Sequence, residues 1–166
     1  MTNLTGYTSY ADAQANFAPP KLWDLFEGNR ERLNIAHECI DRHTDRSNPA
    51  VIVVHADDPD EVLSFREIAE ASSRFAHYLQ GEGVKAGDRV AIMLEPSRAF
   101  YVAVFGTMKA GAIAVPLFTL FGPDGVKLRV DDCKPRLIVT NAEKASQLSG
   151  VDAKIVVADD AFLSGL

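Results

Sequence analysis

From Ala50 onward, short β-branched apolar runs alternate with longer stretches whose apolar residues recur in steps of three and four. The first pattern predicts strands and the second predicts amphipathic helices. The clearest unit is Gly87 to Phe121. Arg89 to Leu94 is an apolar run broken by Glu95-Pro96, Ser97 can cap a following helix, and Gly111 closes it. Ala112 to Val115 is a second run, ended by Pro116. A strand, a helix and a strand in this order predict a parallel pair with a right-handed crossover. Phe100, Tyr101, Val102, Val104, Phe105 and Met108 leave the helix little polar face. A helix apolar all round is expected deep inside an assembly, with Phe105 in the core. That unit wants more protein around it than 166 residues easily supply.

The flanking segments divide the chain into 1–33 and 34–166. Residues 1–33 read as an irregular arm, with Tyr7, Tyr10 and Phe17 set to pack on the body and a local apolar cluster around Trp23. Asn34 can cap a helix through Ile35, Ala36, Cys39 and Ile40, ended by His43-Thr44-Asp45. Ala50 to Val54 reads as a strand, Asp57-Asp58-Pro59-Asp60 as a turn, and Glu61 to Leu63 as the return strand of a hairpin. Ser64-Phe65-Arg66-Glu67 is a capping box. The helix it starts carries Phe65, Ile68, Ala69, Ser72, Phe75, Ala76 and Leu79 on one face and stops at Gly81-Glu82-Gly83. Phe121-Gly122-Pro123-Asp124 is a turn into a helix reaching about Cys133, with Val126 and Val130 inward. Arg136 to Thr140 reads as a strand, Asn141 caps a short helix to about Leu148, and Lys154 to Val157 is a further strand. Alternating strand and helix is the signature of an α/β fold with a mostly parallel sheet and flanking helices. Ending on Phe162 to Leu166 just after a strand, with those apolar residues exposed, the chain looks cut short.

Composition narrows the function classes. The net charge is −6 and no basic run occurs, which disfavours a nucleic-acid surface. No apolar stretch is long enough for a membrane span, and the N-terminus lacks a secretory leader's charged and apolar regions. Cys39 and Cys133 are far apart and in no metal-binding spacing, as expected of reduced cysteines in the cytoplasm. His37-Glu38 has the opening of a zinc-protease helix motif, but position 41 is aspartate and His43 falls on a different face. Gly81, Gly83 and Gly87 follow a helix and precede a strand, the wrong polarity for a dinucleotide loop. Asp131-Asp132 and Asp159-Asp160 read as solvated acid pairs. No nucleophile sits beside a base, so no catalytic residue and no metal ligand is assigned. Topology alone marks one region. Ligands of open parallel sheets bind beyond the carboxyl ends of the strands, where Glu95-Pro96-Ser97 and Pro116 to Pro123 emerge. The second segment is too apolar for a free loop and is expected to cover a ligand channel, a neighbouring domain or a subunit.

An ordered set of segments resembles the N-terminal segment of AMP-forming acyl-CoA synthetases. The segments are Ser64 to Glu67, Arg74-Phe75-Ala76, Gly83-Val84-Lys85, Gly87 to Ala91, Lys109 to Ala112, Val115-Pro116-Leu117, Phe121 to Asp124, Arg129 and Leu137 to Thr140. Leu33 to Ala36 with Asp41-Arg42-His43 is similar to the short- and medium-chain branch. The resemblance covers roughly Asn34 to Thr140. It implies the early part of a larger adenylate-forming domain, from an enzyme that joins a carboxylic acid to ATP and passes the acyl group to coenzyme A. It also implies ATP, magnesium and coenzyme A in the parent enzyme. The family's Ser/Thr/Gly-rich phosphate loop ending in lysine has no counterpart in this chain. The chain alone is therefore expected to be inactive and to bind none of these cofactors, its partner being the remainder of the synthetase. In the related acetate enzymes, two glycines between phenylalanines line the channel for the pantetheine arm. The matching residues are Phe118, Thr119 and Leu120, with Thr119 and Leu120 in place of the glycines.

Two alternatives stay open at this point. One is a stand-alone α/β module that binds a ligand or protein without catalysis. The other keeps the fold and changes the acceptor, as in adenylation domains that load carrier proteins or in luciferase-like oxidases. The acyl substrate and assembly as a homo-oligomer are also open.

Overall fold

A computed structural model describes residues 6–166, which fall into two compact units divided between Asn34 and Ile35. The N-terminal unit is more regular than an irregular arm. Helix α1 (Tyr10–Asn16) starts where the Ser9 side chain accepts a hydrogen bond from the Asp12 amide, and a 3-10 turn spans Pro19–Leu25. Trp23 meets Phe26 at 5.8 Å between ring centroids, and the Arg30 guanidinium lies 5.6 Å from the Trp23 ring. The polar composition concealed α1 because no residue of that helix is buried.

The second unit begins with α2 (Ile35–Cys39) and a 3-10 turn, Asp41–His43. An antiparallel hairpin follows, β1 (Pro49–Val53) with β2 (Glu61–Ser64). The remaining elements are α3 (Phe65–Gly81), β3 (Arg89–Met93), α4 (Arg98–Lys109), β4 (Ile113–Pro116), α5 (Pro123–Cys133), β5 (Leu137–Thr140), α6 (Ala142–Ala145), β6 (Lys154–Val157) and α7 (Asp160–Gly165). The sheet order is β4-β3-β5-β6 and every neighbouring pair is parallel. The strand–helix–strand reading of the central stretch holds; β3 starts at Arg89 as expected, and the other strand boundaries move by one residue.

Residues alternate across this sheet, so each strand feeds two cores. Val90, Ile92, Leu137, Val139 and Val156 join Phe75 and Leu79 of α3 and Val102 and Ala103 of α4. Ala91, Met93 and Ile138 point the other way and join Val126 and Val130 of α5 with Leu148. A third cluster, with Ile40, Leu63 and Ile68 at its centre and Tyr101 and Phe105 packed against it, lies among α2, the hairpin, α3 and α4. Helix α4 therefore meets protein on several sides within this chain, and none of its residues is exposed. This corrects two expectations. Much of the protein required around α4 is already present, and Phe105 is only half-buried, while the centre of the helix is Val102, Ala103 and Gly106.

The C-terminus also differs from expectation. Asp159 accepts from the Phe162 amide at 2.8 Å and starts α7, which carries Phe162, Leu163 and Leu166 onto the first core. Phe162 stacks edge-on against Tyr78 and Phe75, at 5.1 and 6.3 Å between centroids. The acid pair Asp159-Asp160 is thus a helix start, and the last apolar residues are partly covered.

Two local devices set α3. Ser64 and Glu67 form the expected reciprocal capping box, with Ser64 N donating to Glu67 Oε2 at 2.8 Å and Glu67 N donating to Ser64 Oγ at 3.2 Å. Further along, α4 approaches α3 at Gly106. A Cβ there would lie 2.7 Å from both Phe75 Cδ1 and the Ser72 carbonyl oxygen. Such a contact with backbone cannot be relieved by rotating a side chain.

Gly106→Ala should therefore destabilise the protein in urea unfolding by about 1–3 kcal/mol through overpacking, although alanine is the better helix former by about 1 kcal/mol. A neutral or stabilising result would show that the helices can separate freely. The backbone and side-chain hydrogen bonds from Ser64 hold the Glu67 carboxyl below its ordinary value of 4.5. Lowered in the folded state, it contributes stability at neutral pH and loses it as pH falls from about 4.5 through the depressed folded value. The stability difference between wild type and Glu67→Gln should narrow over that acid range, and a pH-independent difference would contradict the assignment.

Candidate functional site

The carboxyl edge of the sheet is where the connections part. From β3 the chain enters α4, which packs with the first core, and from the adjacent β5 it enters α6 and the Ser146–Leu148 turn, whose Leu148 packs in the second. Adjacent strands whose connections diverge to opposite faces leave a crevice at their carboxyl ends. Here that crevice has a volume of 310 Å³, with Leu94, Glu95 and Ser97 on one side and Asn141, Ala158 and Asp160 on the other. Its floor is tied across the strands, since Thr140 Oγ1 donates to the Met93 carbonyl at 3.0 Å and Ala158 N donates to the Thr140 carbonyl at 2.8 Å. Ser97 and Asn141 act as helix caps, accepting from the Phe100 and Lys144 amides at 3.3 and 2.8 Å.

The segment after β4 leaves the same edge. Leu117 N donates to the Ile92 carbonyl at 2.8 Å, and Leu117 itself is buried. Thr119 is 4% exposed, whereas Phe118 is 59% and Leu120 is 75% exposed. The Thr119 hydroxyl donates to Glu95 Oε1, joining the two segments that topology placed at this edge. Phe121 meets Phe118 edge-on at 5.6 Å, and the Arg129 guanidinium of α5 sits 3.7 Å from the Phe121 ring centroid. A cation this close to a ring face is attracted by the ring quadrupole. Arg129 Nη1 also donates to the Gly125 carbonyl at 2.8 Å. The loop is thus held at both ends and its middle, with two large apolar side chains turned outward.

Of the three residues singled out from sequence, Phe118 and Leu120 are both largely exposed, while Thr119 is buried and bonded to Glu95. Sequence reasoning did not find that Glu95 holds Thr119. The available signal was an acid placed immediately beyond the strand end, opposite the only hydroxyl of an otherwise apolar loop. The residues discounted for chemistry are structural where described. His43 packs edge-on to Phe65 at 5.5 Å, and Gly83 takes a left-handed φ of 76° in the turn after α3. Among the described residues, no group of three His, Cys, Asp or Glu side chains could hold a metal ion, and no helix is long and apolar enough to cross a membrane.

A larger groove of 720 Å³ lies at the opposite, amino edge, lined by Glu82, Asp88, Arg89, Arg136, Asp152 and Lys154 among others. Three of its charged side chains have structural partners. Arg89 Nε and Nη2 donate to the Cys133 and Lys134 carbonyls at 2.8 and 3.0 Å, closing the end of α5. Lys154 pairs with Glu82; this bond holds the Glu82 carboxyl below its ordinary range and raises Lys154. Size alone favours this groove, but topology and the outward apolar loop favour the carboxyl edge.

A family profile described as AMP-binding enzyme matches residues 40–165. Acetyl-coenzyme A synthetase of Bradyrhizobium diazoefficiens is 35% identical over 136 residues, covering 76% of this chain and 21% of the relative. The Bacillus subtilis acetyl-coenzyme A synthetase is 37% identical over 115 residues, covering 68% and 20%. Among solved structures, a Brucella canis acyl-CoA synthetase superposes with a TM-score of 0.82 at 31% identity, covering 91% of this chain and 29% of that one. The chain therefore spans about a fifth of the length of the curated relatives it matches.

Because Phe118 and Leu120 make the loop's outer surface without supporting a core, Phe118→Ser and Leu120→Asp should each change unfolding stability by no more than about 0.5 kcal/mol. Both should lower binding of a hydrophobic dye. A loss of several kcal/mol would mean that these side chains pack inward.

Proposed function

The chain belongs to the AMP-binding enzyme family, and we propose that within it the chain is the N-terminal part of an ATP-dependent acyl-CoA synthetase. The whole enzyme activates a small carboxylic acid with ATP, releasing pyrophosphate, and transfers the acyl group from the adenylate to the thiol of coenzyme A. It does so in the cytoplasm, and the remainder of the synthetase is this chain's partner. The ordered motif set, the match over residues 40–165 and the likeness to an acyl-CoA synthetase structure support this reading.

The observation that carries a role for these residues is the loop Phe118 to Phe121 at the carboxyl edge. Its outward Phe118 and Leu120 side chains suit the thiol-bearing arm of coenzyme A, which is long and largely uncharged. Such an arm is gripped through apolar wall contacts with few polar anchors. The chain's contribution is to bind and orient that arm and to keep water from it. For ATP and magnesium the described residues do not fit: they hold no phosphate loop and no cluster of three acidic, histidine or cysteine side chains that could hold a cation. No step is assigned to this chain through either.

A second reading is a stand-alone binding module. It is favoured by the way α7 covers the first core with Phe162 and Leu163. The exposed Phe118 and Leu120 favour the synthetase instead.

Titrating magnesium ATP into the purified chain in a calorimeter should give no binding heat, and a micromolar Kd would overturn the placement of the nucleotide site outside these residues. Reading the coding sequence past Leu166 separates the two proposals. A Ser/Thr/Gly-rich loop ending in lysine is expected downstream, and a stop codon directly after Leu166 would favour the module.

A further inference from the structure

The loop after β4 is inverted. In an exposed Phe-Thr-Leu segment the apolar side chains should turn inward and the hydroxyl outward, because only the former lose by contact with water. Here Thr119 is buried while Phe118 and Leu120 stand in solvent. The inversion requires an acceptor for the buried hydroxyl, since an unpaired one is costly. That acceptor is Glu95, the side chain at the mouth of the crevice between β3 and β5.

The geometry points to Glu95 as the positioning residue of the acceptor loop, which turns Thr119 inward so that Phe118 and Leu120 are presented to the thiol-bearing arm of coenzyme A. This rests on the acceptor reading above. Three features make Glu95 the controlling one. The backbone bond from Leu117 to Ile92 holds only the loop's start. The Arg129–Phe121 contact holds only its end. Between them the Glu95–Thr119 bond is the side-chain tie to the strand edge, and a carboxylate accepts more strongly than a neutral oxygen. Glu95 is also shared with the crevice, alongside Ser97 and Asn141, so loop and crevice are shaped by one side chain. It touches no reacting atom in this assignment and acts only through Thr119.

The test uses the full 166-residue chain as wild type, Glu95→Gln, Glu95→Ala and Thr119→Val. The readouts are the rate of chymotryptic cleavage at Phe118 to Phe121 and hydrogen exchange of the same segment by mass spectrometry. Glu95→Ala and Thr119→Val should each speed cleavage and exchange in this loop by about ten-fold, with the β5 and α3 peptides unchanged. Glu95→Gln should stay within about three-fold of wild type, because the glutamine amide oxygen still accepts the hydroxyl proton. Wild-type rates in Glu95→Ala, or equal acceleration of every peptide, would overturn the assignment. If Glu95→Ala does not fold, Thr119→Val decides in the same way, since it removes the donor and leaves the acid. Coenzyme A then probes the acceptor role in the synthetase carried to its full length by the downstream coding sequence, where it should slow loop cleavage in wild type and Glu95→Gln but not in Glu95→Ala. Loop-specific loosening in Glu95→Ala with no effect of coenzyme A on any variant would overturn the acceptor role and leave Glu95 holding the loop for another purpose.

Discussion

The architecture of the second unit depends on how closely α3 and α4 approach at Gly106. With no side chain at that position, the Phe75 ring and the Ser72 carbonyl come up against the α4 backbone. The two helices then behave as one slab. Its inner surface covers one face of the sheet through Phe75, Leu79, Val102 and Ala103, while the hairpin and α2 pack on its other side. Lys109 fastens the far end. Its ammonium donates to the Ala69 carbonyl at 2.8 Å and to Ser73 Oγ at 2.9 Å, and lies 2.6 Å from an Asp41 carboxylate oxygen. A cation in the last turn of α4 also complements that helix's dipole. β3 and β4 lie against this slab, through Val90, Ile92 and Ala114.

The carboxyl edge of the sheet uses topology and side-chain chemistry together. Divergent connections open the crevice, but they would leave the loop after β4 free to fold its apolar residues inward. A single acid beyond β3 prevents this by taking the Thr119 hydroxyl. The resulting surface is apolar and outward-facing, flanked by the Phe118–Phe121 ring contact and the Arg129 guanidinium. Scaffold and site are therefore separable. The slab, the sheet and the caps support the fold, whereas Phe118 and Leu120 stand largely exposed outside its three cores.

Much of this was legible in the residues. The capping box at Ser64, the apolar face of α3, and the Ser97, Asn141 and Pro116 boundaries are local signals, and each appears in the structure where its chemistry requires. What escaped notice depends on distant partners. Helix α7 was invisible because Asp159 reads as surface charge until Phe75 and Tyr78 offer Phe162 a place to pack. Helix α1 is too polar to show an apolar stripe. Phe105 looked like core because composition cannot distinguish a helix ringed by half-covered side chains from one wholly enclosed. At the site, the carboxyl edge and its loop were readable, but the inward turn of Thr119 was not, because its cause sits on another strand.

The strand order has a consequence for how the chain reaches this state. β3 is the hub: it pairs with β4 on one side and with β5 on the other, and β5 follows β4 only after α5. As the polypeptide emerges during synthesis, the hairpin, α3 and the β3-α4-β4 unit can assemble while the second border of β3 is still bare. Arg89 to Met93 then offers an open row of backbone donors and acceptors beside Val90, Ala91 and Ile92 until Leu137 to Thr140 arrives. An unpaired apolar strand border invites pairing with the wrong chain. The passage through α5 thus prolongs the time this border of β3 stays bare, and Arg89, bonded to the end of α5, ties that helix to the strand once it forms.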